Sequence, residues 1–314
     1  MTTELSPGAR VVLRYRLPAG YPDVLSDLVG ELVSLDPPAV RGDDGRVVAV
    51  AAERVIALRP YAPRPIRTRE IQALEIAAAH GWPGLEREWL DGWFLRAGDG
   101  FTGRANSAVP LGEAVTLDPL PAIEQWYAER GLPVRLLLPD RLGAVPDGWF
   151  TSEEVLMLAV DLDNVVLPNG DSLLTVDPRP TPGWTARCRY RDAPLPPTAG
   201  PVLEQVVGGV LGFGSLGTEN PVAVARAAVT VAPDGRVWVG LTAVEVDPQH
   251  RRHGLGTLIC VELLRWARSH GAGHAYLQVA VENEPALAMY RKLGFLDHHR
   301  YRYATPTPAE PSSA

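Results

Sequence analysis

Lysine is almost missing from these 314 residues: Lys292 is the only one, and the basic side chains are otherwise arginine. A nucleotide-triphosphate P-loop, which needs Gly-Lys-Ser or Gly-Lys-Thr after its glycines, is thereby excluded. Cysteine is scarce as well. Cys188 and Cys260 stand far apart with no metal-like spacing, which leaves neither a disulfide framework nor a zinc site and reads as two reduced core thiols. No apolar run approaches the roughly 20 residues that span a bilayer, and the opening Met1-Thr2-Thr3-Glu4-Leu5-Ser6-Pro7-Gly8 lacks a basic flank and an apolar run. A cytoplasmic chain is expected. Nor is there a basic excess: the net charge of −7 argues against nucleic acid or an anionic membrane surface as the main partner.

What is present is the composition of a globular protein, 46% hydrophobic and 21% charged, in a chain long enough for two or three domains. Residues 1–60 alternate short β-like runs (11–17, 28–35, 47–50 and 54–58) with turns, Asp43-Asp44-Gly45 giving a hairpin signal. These read as a small all-β barrel. Pro60-Tyr61-Ala62-Pro63-Arg64-Pro65 is a stiff linker, because proline fixes φ and keeps the preceding residue extended. After it, helices are expected at 68–80, with Thr68 as cap, and at 121–130, and strands at 92–96, 102–109, 134–138 and 155–160. Trp82, Trp89 and Trp93 are assigned to core.

An internal echo runs through the chain. Trp126-Tyr127-Ala128-Glu129-Arg130-Gly131 followed by 134–138 matches Trp266-Ala267-Arg268-Ser269-His270-Gly271 followed by 275–279, and Gly148-Trp149-Phe150 echoes Gly294-Phe295. A tandem arrangement is expected, with bodies at 66–176 and 177–304 and a disordered tail at 305–314. Proline density over 175–201 reads as a connecting arm with a short helix at 184–190. Gly212-Phe213-Gly214-Ser215-Leu216-Gly217 spells Gly-x-Gly-x-x-Gly, but the turn Thr218-Glu219-Asn220-Pro221 follows where a phosphate-facing helix would have to begin, so it is a decoy. Strands are expected at 210–216, 222–231, 237–246 and 275–281, a helix at 258–269, a second starting at Asn283 and stopping at Gly294, and a last strand at 301–303.

The residues from Val244 to Thr257 carry the chemistry. A strand runs through Val244 and Val246 into a basic turn, Arg251-Arg252-His253-Gly254-Leu255-Gly256-Thr257, that opens a helix. The first N–H groups of a helix lack partners and its dipole makes that end partly positive, while Gly254 and Gly256 let an anion approach the backbone. A phosphate site follows. The dinucleotide fingerprint fails there, since Gly254-Leu255-Gly256 is followed by Ile259 where a third glycine is needed.

Arg251-Arg252-His253-Gly254-Leu255-Gly256 matches the Arg/Gln-x-x-Gly-x-Gly/Ala signature of the GNAT superfamily of acyl-CoA N-acyltransferases. Asn283-x-x-Ala286-x-x-x-Tyr290, followed by Leu293-Gly294-Phe295, matches that family's motif after its fifth strand. On both motifs the chain is identified as a member. Its wider pattern, Trp93-Phe94-Leu95-Arg96, Arg104-Ala105-Asn106-Ser107 and His298-His299-Arg300-Tyr301-Arg302-Tyr303, resembles an actinobacterial group with a long N-terminal extension. The resemblance implies an α/β (α+β) fold with a mixed central sheet, a tandem degenerate GNAT-like copy before the competent one, and a small Src-homology or Tudor-like β-barrel first. It implies acetyl transfer from acetyl-CoA, with no metal, to a small-molecule amine or a protein lysine. Pantetheine would pair with Val244 and Val246, the turn 251–257 would hold the pyrophosphate, Asn283 and Ala286 would fix the cofactor, and Tyr290 would protonate the thiolate.

The chemistry of the residues agrees. An unprotonated amine attacks a thioester, and a thiolate of pKa roughly 8.5 leaves while a tyrosine of pKa near 10 lends it a proton. Glu245 alternates with Val244 and Val246 and is the candidate base, a solvated or salt-bridged carboxylate being its alternative. His250 and His253 belong to the phosphate turn, and His298-His299 reads as a surface pair. An acyl-CoA sensor without turnover, and a protein acetyltransferase that docks its target through the barrel, are the alternatives to a small-molecule enzyme.

Overall fold

The computed structural model describes residues 5–18, 24–42, 45–60, 65–168 and 170–307, in two compact units, residues 1–65 and 66–314. In the first, strands β1 (Arg10–Arg16), β2 (Leu25–Leu35), β3 (Pro38–Gly42), β4 (Val47–Ala49) and β5 (Val55–Pro60) form an all-antiparallel sheet in the order β4-β3-β2-β1-β5. Alternate residues Val11 and Leu13 join Leu32, Val40 and Val50 in its core. Strand β3 was not among the expected runs; proline is accommodated at its first residue. The Asp43-Asp44 part of the hairpin signal and 61–64 of the linker lie outside the described residues.

The second unit begins with helix α1 (Thr68–Gly81), a three-stranded meander of β6 (Glu86–Leu90), β7 (Trp93–Ala97) and β8 (Val109–Pro110), and helix α2 (Leu120–Ala128). Strands β9 (Leu136–Pro139), β10 (Trp149–Thr151), β11 (Val155–Asp161) and β12 (Thr175–Asp177) follow, then α3 (Pro182–Arg187), the hairpin of β13 (Arg189–Tyr190) and β14 (Ala193–Pro194), and α4 (Ala199–Leu203). Strands β15 (Val210–Leu216), β16 (Ala223–Val231) and β17 (Val237–Val246), helix α5 (Leu255–Ser269), β18 (His274–Ala280), α6 (Glu284–Lys292) and β19 (Leu296–Pro306) complete it. Among these, one nine-stranded mixed sheet runs β10-β19-β11-β18-β17-β16-β15-β12, with β9 also on β19.

Residues on both sides of Asp177, where separate bodies were expected to meet, build this single sheet. The last strand of each segment lies on the strand behind the other segment's helix: β11 on β18 and β19 on β9, with β11 and β19 paired between them. The echo is visible in the backbone. Ala108 bridges Leu136 in parallel across α2, as Trp238 to Leu241 pair in parallel with His274 to Leu277 across α5. Period-two alternation along the strands fills two layers: Val239, Leu241, Leu277 and Leu158 pack under α5, while Trp238, Tyr276 and Met157 pack under α1.

Several expectations are corrected. Thr68 is the first helical residue and Arg67 the cap, its N–H donating to Glu70 at 2.9 Å. Residues 102–107 hold a 3-10 turn, Arg104–Asn106, and the strand begins only at Val109, because Asn106 closes the loop: its Oδ1 accepts from Gly98 and Gly100, and its Nδ2 donates to Phe101 and Thr102. Trp82 and Trp93 are buried, but Trp89 is 51% exposed. His298-His299 is not a surface pair. His299 is buried, with Nε2 2.7 Å from the Glu75 carboxylate and Nδ1 2.8 Å from that of half-buried His298. Thr305 and Pro306 extend β19, pairing with Phe150 and Trp149, so the expected tail loses its first residues to the sheet; residues 308–314 lie outside the described ones.

Candidate active site

Strand β17 leaves its neighbour halfway along. Its parallel pairing with β18 ends at Leu241 and Leu277, and the register with β16 shifts where Ala243 sits at φ 52. Such a bulge turns the strand and frees backbone groups. From there to Val246, the edge of β17 facing β18 is unpaired.

The turn after β17 is built by its own side chains. Asp247 accepts from the Gln249 N–H at 2.9 Å and holds Arg187 at 2.5 Å. The Gln249 N–H, more than any other partner, holds its carboxyl below the usual carboxylate range. Arg252 and then Gly254 take left-handed backbone, φ 65 and φ 80, and Gly254 caps α5 with no side-chain hydrogen bond on the cap. Glycine serves at 254 because of that φ and not for space, since nothing lies within 4 Å of an added Cβ. The N–H groups of the first turn of α5 therefore have no capping acceptor and face outward at the positive end of the helix.

A cleft of about 850 Å³ joins these parts. Val244, Glu245 and Val246 form one wall, Arg251, Arg252, Gly254, Gly256 and Thr257 the basic end at the start of α5, and Asn283, Ala286 and Tyr290 the opposite wall. Eleven of the thirteen expected residues thus meet in one place. Two do not line it: Leu255 packs its side chain on the core, and exposed His253 turns Nδ1 back toward the His250 carbonyl at 3.3 Å. Pro285, Ala288, Met289 and Lys292 also line it and were missed. Helical spacing gives a signal for Met289, which is adjacent to Ala286 on α6, but none for Lys292, which lies on the opposite side of the helix from Asn283.

Glu245 is engaged. Its Oε1 accepts from Arg251 Nη2 at 2.9 Å, and Arg251 Nε also donates to the Val246 carbonyl at 3.2 Å. Of the two alternatives for this carboxylate, that geometry fits the salt-bridged one. Asn283 accepts from the Ala286 N–H at 3.2 Å and caps α6, which aims the helix. Tyr290 is 7% exposed, packs edge-on to Phe295 at 5.9 Å between centroids, and has its hydroxyl beside the Cys260 thiol. Burial holds this phenol well above its ordinary pKa, and the same burial pushes the Cys260 thiol up to about 12. Both keep their protons at neutral pH.

A second cavity, of about 460 Å³, meets the same split on the other face of the sheet, reaching Ala243 at the bulge and Ala280 at the end of β18. Ala243 packs with the Trp82 and Trp184 cluster, whereas its neighbours Val244 and Val246 pack with α5, so the two cavities share the split from opposite faces. Both segments line it: Trp82, Phe101 and Arg104 from the first, Cys188, Tyr190 and Tyr301 from the second. Sequence reasoning assigned Trp82 to core and gave no role to Tyr190. Arg104, Tyr301 and Tyr303 were named only inside the wider pattern, of whose other members Asn106 builds the loop and buried Arg96 donates to the Ser107 hydroxyl at 3.0 Å.

Among the described residues no cluster suits a metal ion, and no helix is long and apolar enough to cross a membrane. Residues 68–304 match the family described as "Probable histone acetyltransferase Rv0428c C-terminal", and residues 5–59 match "Rv0428c N-terminal Sm-like domain". The chain is 41% identical over 299 residues to the probable histone acetyltransferase Rv0428c of Mycobacterium tuberculosis, across 94% of each chain. It is 28% identical over 247 residues to the uncharacterized N-acetyltransferase YobR of Bacillus subtilis, covering 74% of this chain and 98% of that one. A solved GCN5-related N-acetyltransferase from Kribbella flavida superposes with a TM-score of 0.52 at 20% identity, over 76% of this chain and 96% of that chain, a likeness of fold alone. A bulged and split strand, an uncapped glycine-led helix start and a buried tyrosine across the cleft are thus found in a chain that belongs to the GNAT acetyltransferases, in the family of the probable histone acetyltransferase Rv0428c, and is an acyltransferase enzyme.

Proposed function

We propose that the protein transfers the acetyl group of acetyl-CoA directly to an amine. The observation that carries this reading is the split of β17 from β18 beside the free N-terminus of α5, with protonated Tyr290 across the cleft. The free edge of β17 through Val244 and Val246 suits an extended amide chain such as pantetheine, which would add to it as a strand does. The Gly254 to Thr257 N–H groups, with Arg251 and Arg252, suit a pyrophosphate. Glu245 would then keep Arg251 in place rather than take the amine's proton.

Acetyl-CoA would supply an activated acyl carbon at the split. The amine nitrogen forms the new C–N bond, the C–S bond breaks, the Tyr290 hydroxyl gives its proton to the departing sulfur, and the amine's proton, passed through solvent, restores the phenol. A phenol held above its ordinary pKa is protonated before the reaction, as a donor must be, and would release its proton only as negative charge builds on the sulfur. The acceptor would enter by the second cavity, on the far side of the split.

Tyr290→Phe tests the assignment. Thiol release from acetyl-CoA should fall by about 10² to 10⁴, the usual worth of a general acid, while calorimetric binding of acetyl-CoA stays within about twofold. Full activity in that variant would remove Tyr290 from its role, and binding without turnover in the unaltered protein would point to a sensor. One observation favours a protein acceptor: the relative from Mycobacterium tuberculosis carries the name histone acetyltransferase. If residues 1–65 dock such a target, removing 1–60 should abolish acetylation of protein lysines and spare small amines; equal loss of both would count against docking.

A further inference from the structure

The second cavity carries a strong charge preference. Arg104, Arg189 and Arg191 line it, and no carboxylate does among the described residues. Arg104 crosses the Trp82 ring with Cζ 5.2 Å from its centroid and donates from Nη1 to the Gln278 side chain. Arg189 and Arg191 are exposed on the β13–β14 hairpin, and Arg191 lies 5.4 Å over the Tyr190 ring. The remaining walls are aromatic: Trp82 and Phe101 stand 6.4 Å apart and Phe101 and Tyr190 5.0 Å apart.

Behind Trp82 lies more positive charge. Arg226 is fully buried, with Cζ 4.6 Å from the Trp82 ring. Its hydrogen bonds go to the main-chain carbonyls of Leu203, Gly81 and Gln205, its Nη1 has no partner, and no carboxylate pairs with it among the described residues. Burial brings this guanidinium down only to about 9, so it is charged at neutral pH. A buried cation without a counter-ion is costly to the fold. It is the kind of group that a binding site retains for its field.

Resting on the acetyl-transfer reading above in its small-molecule form, and against the protein-lysine acceptor, we propose that this cavity selects an acceptor amine that carries its own carboxylate or phosphate beside an apolar or aromatic body, and that it rejects cationic acceptors. Arginine forks bind planar carboxylates and phosphates by paired hydrogen bonds, the aromatic walls take the body, and like charge turns polyamines and lysine-rich segments away. The volume of about 460 Å³ suits a molecule of amino-acid size.

The test uses the full-length protein with saturating acetyl-CoA. Thiol release is measured for glycine, β-alanine, 4-aminobutanoate and L-phenylalanine against their own amides, and for O-phosphoethanolamine against ethanolamine. Spermidine and a lysine-rich peptide form a third arm. In at least one matched pair the anionic member should have a kcat/KM higher by about tenfold or more, the factor a charge-assisted hydrogen bond provides. Whether a carboxylate or the phosphate pair gives it identifies the anion. The double variant Arg189→Glu, Arg191→Glu, at exposed positions that leave the core intact, should raise KM for that acceptor by about tenfold while KM for acetyl-CoA stays within about twofold. A preference for amides, ethanolamine, spermidine or the basic peptide overturns the proposal and leaves acetyl transfer standing. The same pairs are also titrated calorimetrically into the CoA-loaded protein. Binding of the anionic members that depends on Arg189 and Arg191, without turnover of any amine, would instead overturn acetyl transfer and leave the anion selection standing; equal binding of both members of every pair would sink it.

Discussion

His298 shows how burial changes a residue that looks ordinary in sequence. Its ring is pulled down to about 3, first by burial and then by His299, whose own ring is committed to Glu75 at 2.7 Å. A folded-state pKa below the unfolded value of 6.5 means that the unfolded chain binds the extra proton first. Stability from this group is therefore complete above about pH 6.5 and is lost as pH falls toward about 3. The melting temperature should decline across that window, and His298→Gln should flatten the decline; an unchanged slope would mean that other groups set it. Cys188 and Cys260 act at the other end. Burial puts both thiols at about 12, above the ordinary value of 9, so their contribution is intact below pH 9 and is lost between 9 and about 12.

Among the elements, α5 joins sequence to site most directly. Its apolar stripe, Ile259, Cys260, Leu263, Leu264 and Ala267, is buried against the sheet, which anchors the helix and aims its N-terminus. Gly256 belongs to the first turn, and a Cβ there would come 3.1 Å from Met289 Sδ and 3.7 Å from Val246. The flexible thioether has room to yield, so Gly256→Ala should fold well. Gly256→Glu adds a carboxylate at the start of α5, the proposed pyrophosphate site, and we expect acetyl-CoA affinity to fall by about 100-fold or more, as crowding and like-charge repulsion of a few kcal/mol would give. Calorimetry decides it, and tight binding in that variant would place the cofactor elsewhere in the unit.

For the whole molecule the exchange of strands matters most. Leu156, Leu158 and Val160 of β11 belong to the same core cluster as α5 and β18, although the expected boundary assigns them to the preceding body. A chain of residues 177–304 alone would lack β11 and β9, leaving β18 and β19 with unpaired edges and an open core. It should be aggregated or unfolded by circular dichroism, whereas residues 66–314 should fold with a single cooperative transition. A stable, cofactor-binding 177–304 chain would show that the exchange is dispensable.

Much of this was legible in the residues. The strand 237–246, the glycine turn, the Asn283 cap and the spacing of Asn283 to Tyr290 are local, because backbone geometry, capping and helical period depend on neighbours in sequence. The family motifs were legible for the same reason, since each lies within a single turn or helix. The echo pointed to paired β-α-β units, but nothing local shows which strand will lie on which. Strand β11 pairs with β18 across more than a hundred residues, and the choice between its own segment and the other is made by hydrogen-bonding edges and core volume. The same holds for Glu75 with His299 and for Arg226 with Trp82: a histidine that reads as surface and an arginine that reads as a strand residue become buried, charged features only when distant elements close over them. Sequence by itself determined the glycine turn at the head of α5 and the family, because their residues are contiguous. Only the tertiary structure decided the shared sheet and the arginine-lined cavity, because each is assembled from both segments of the chain.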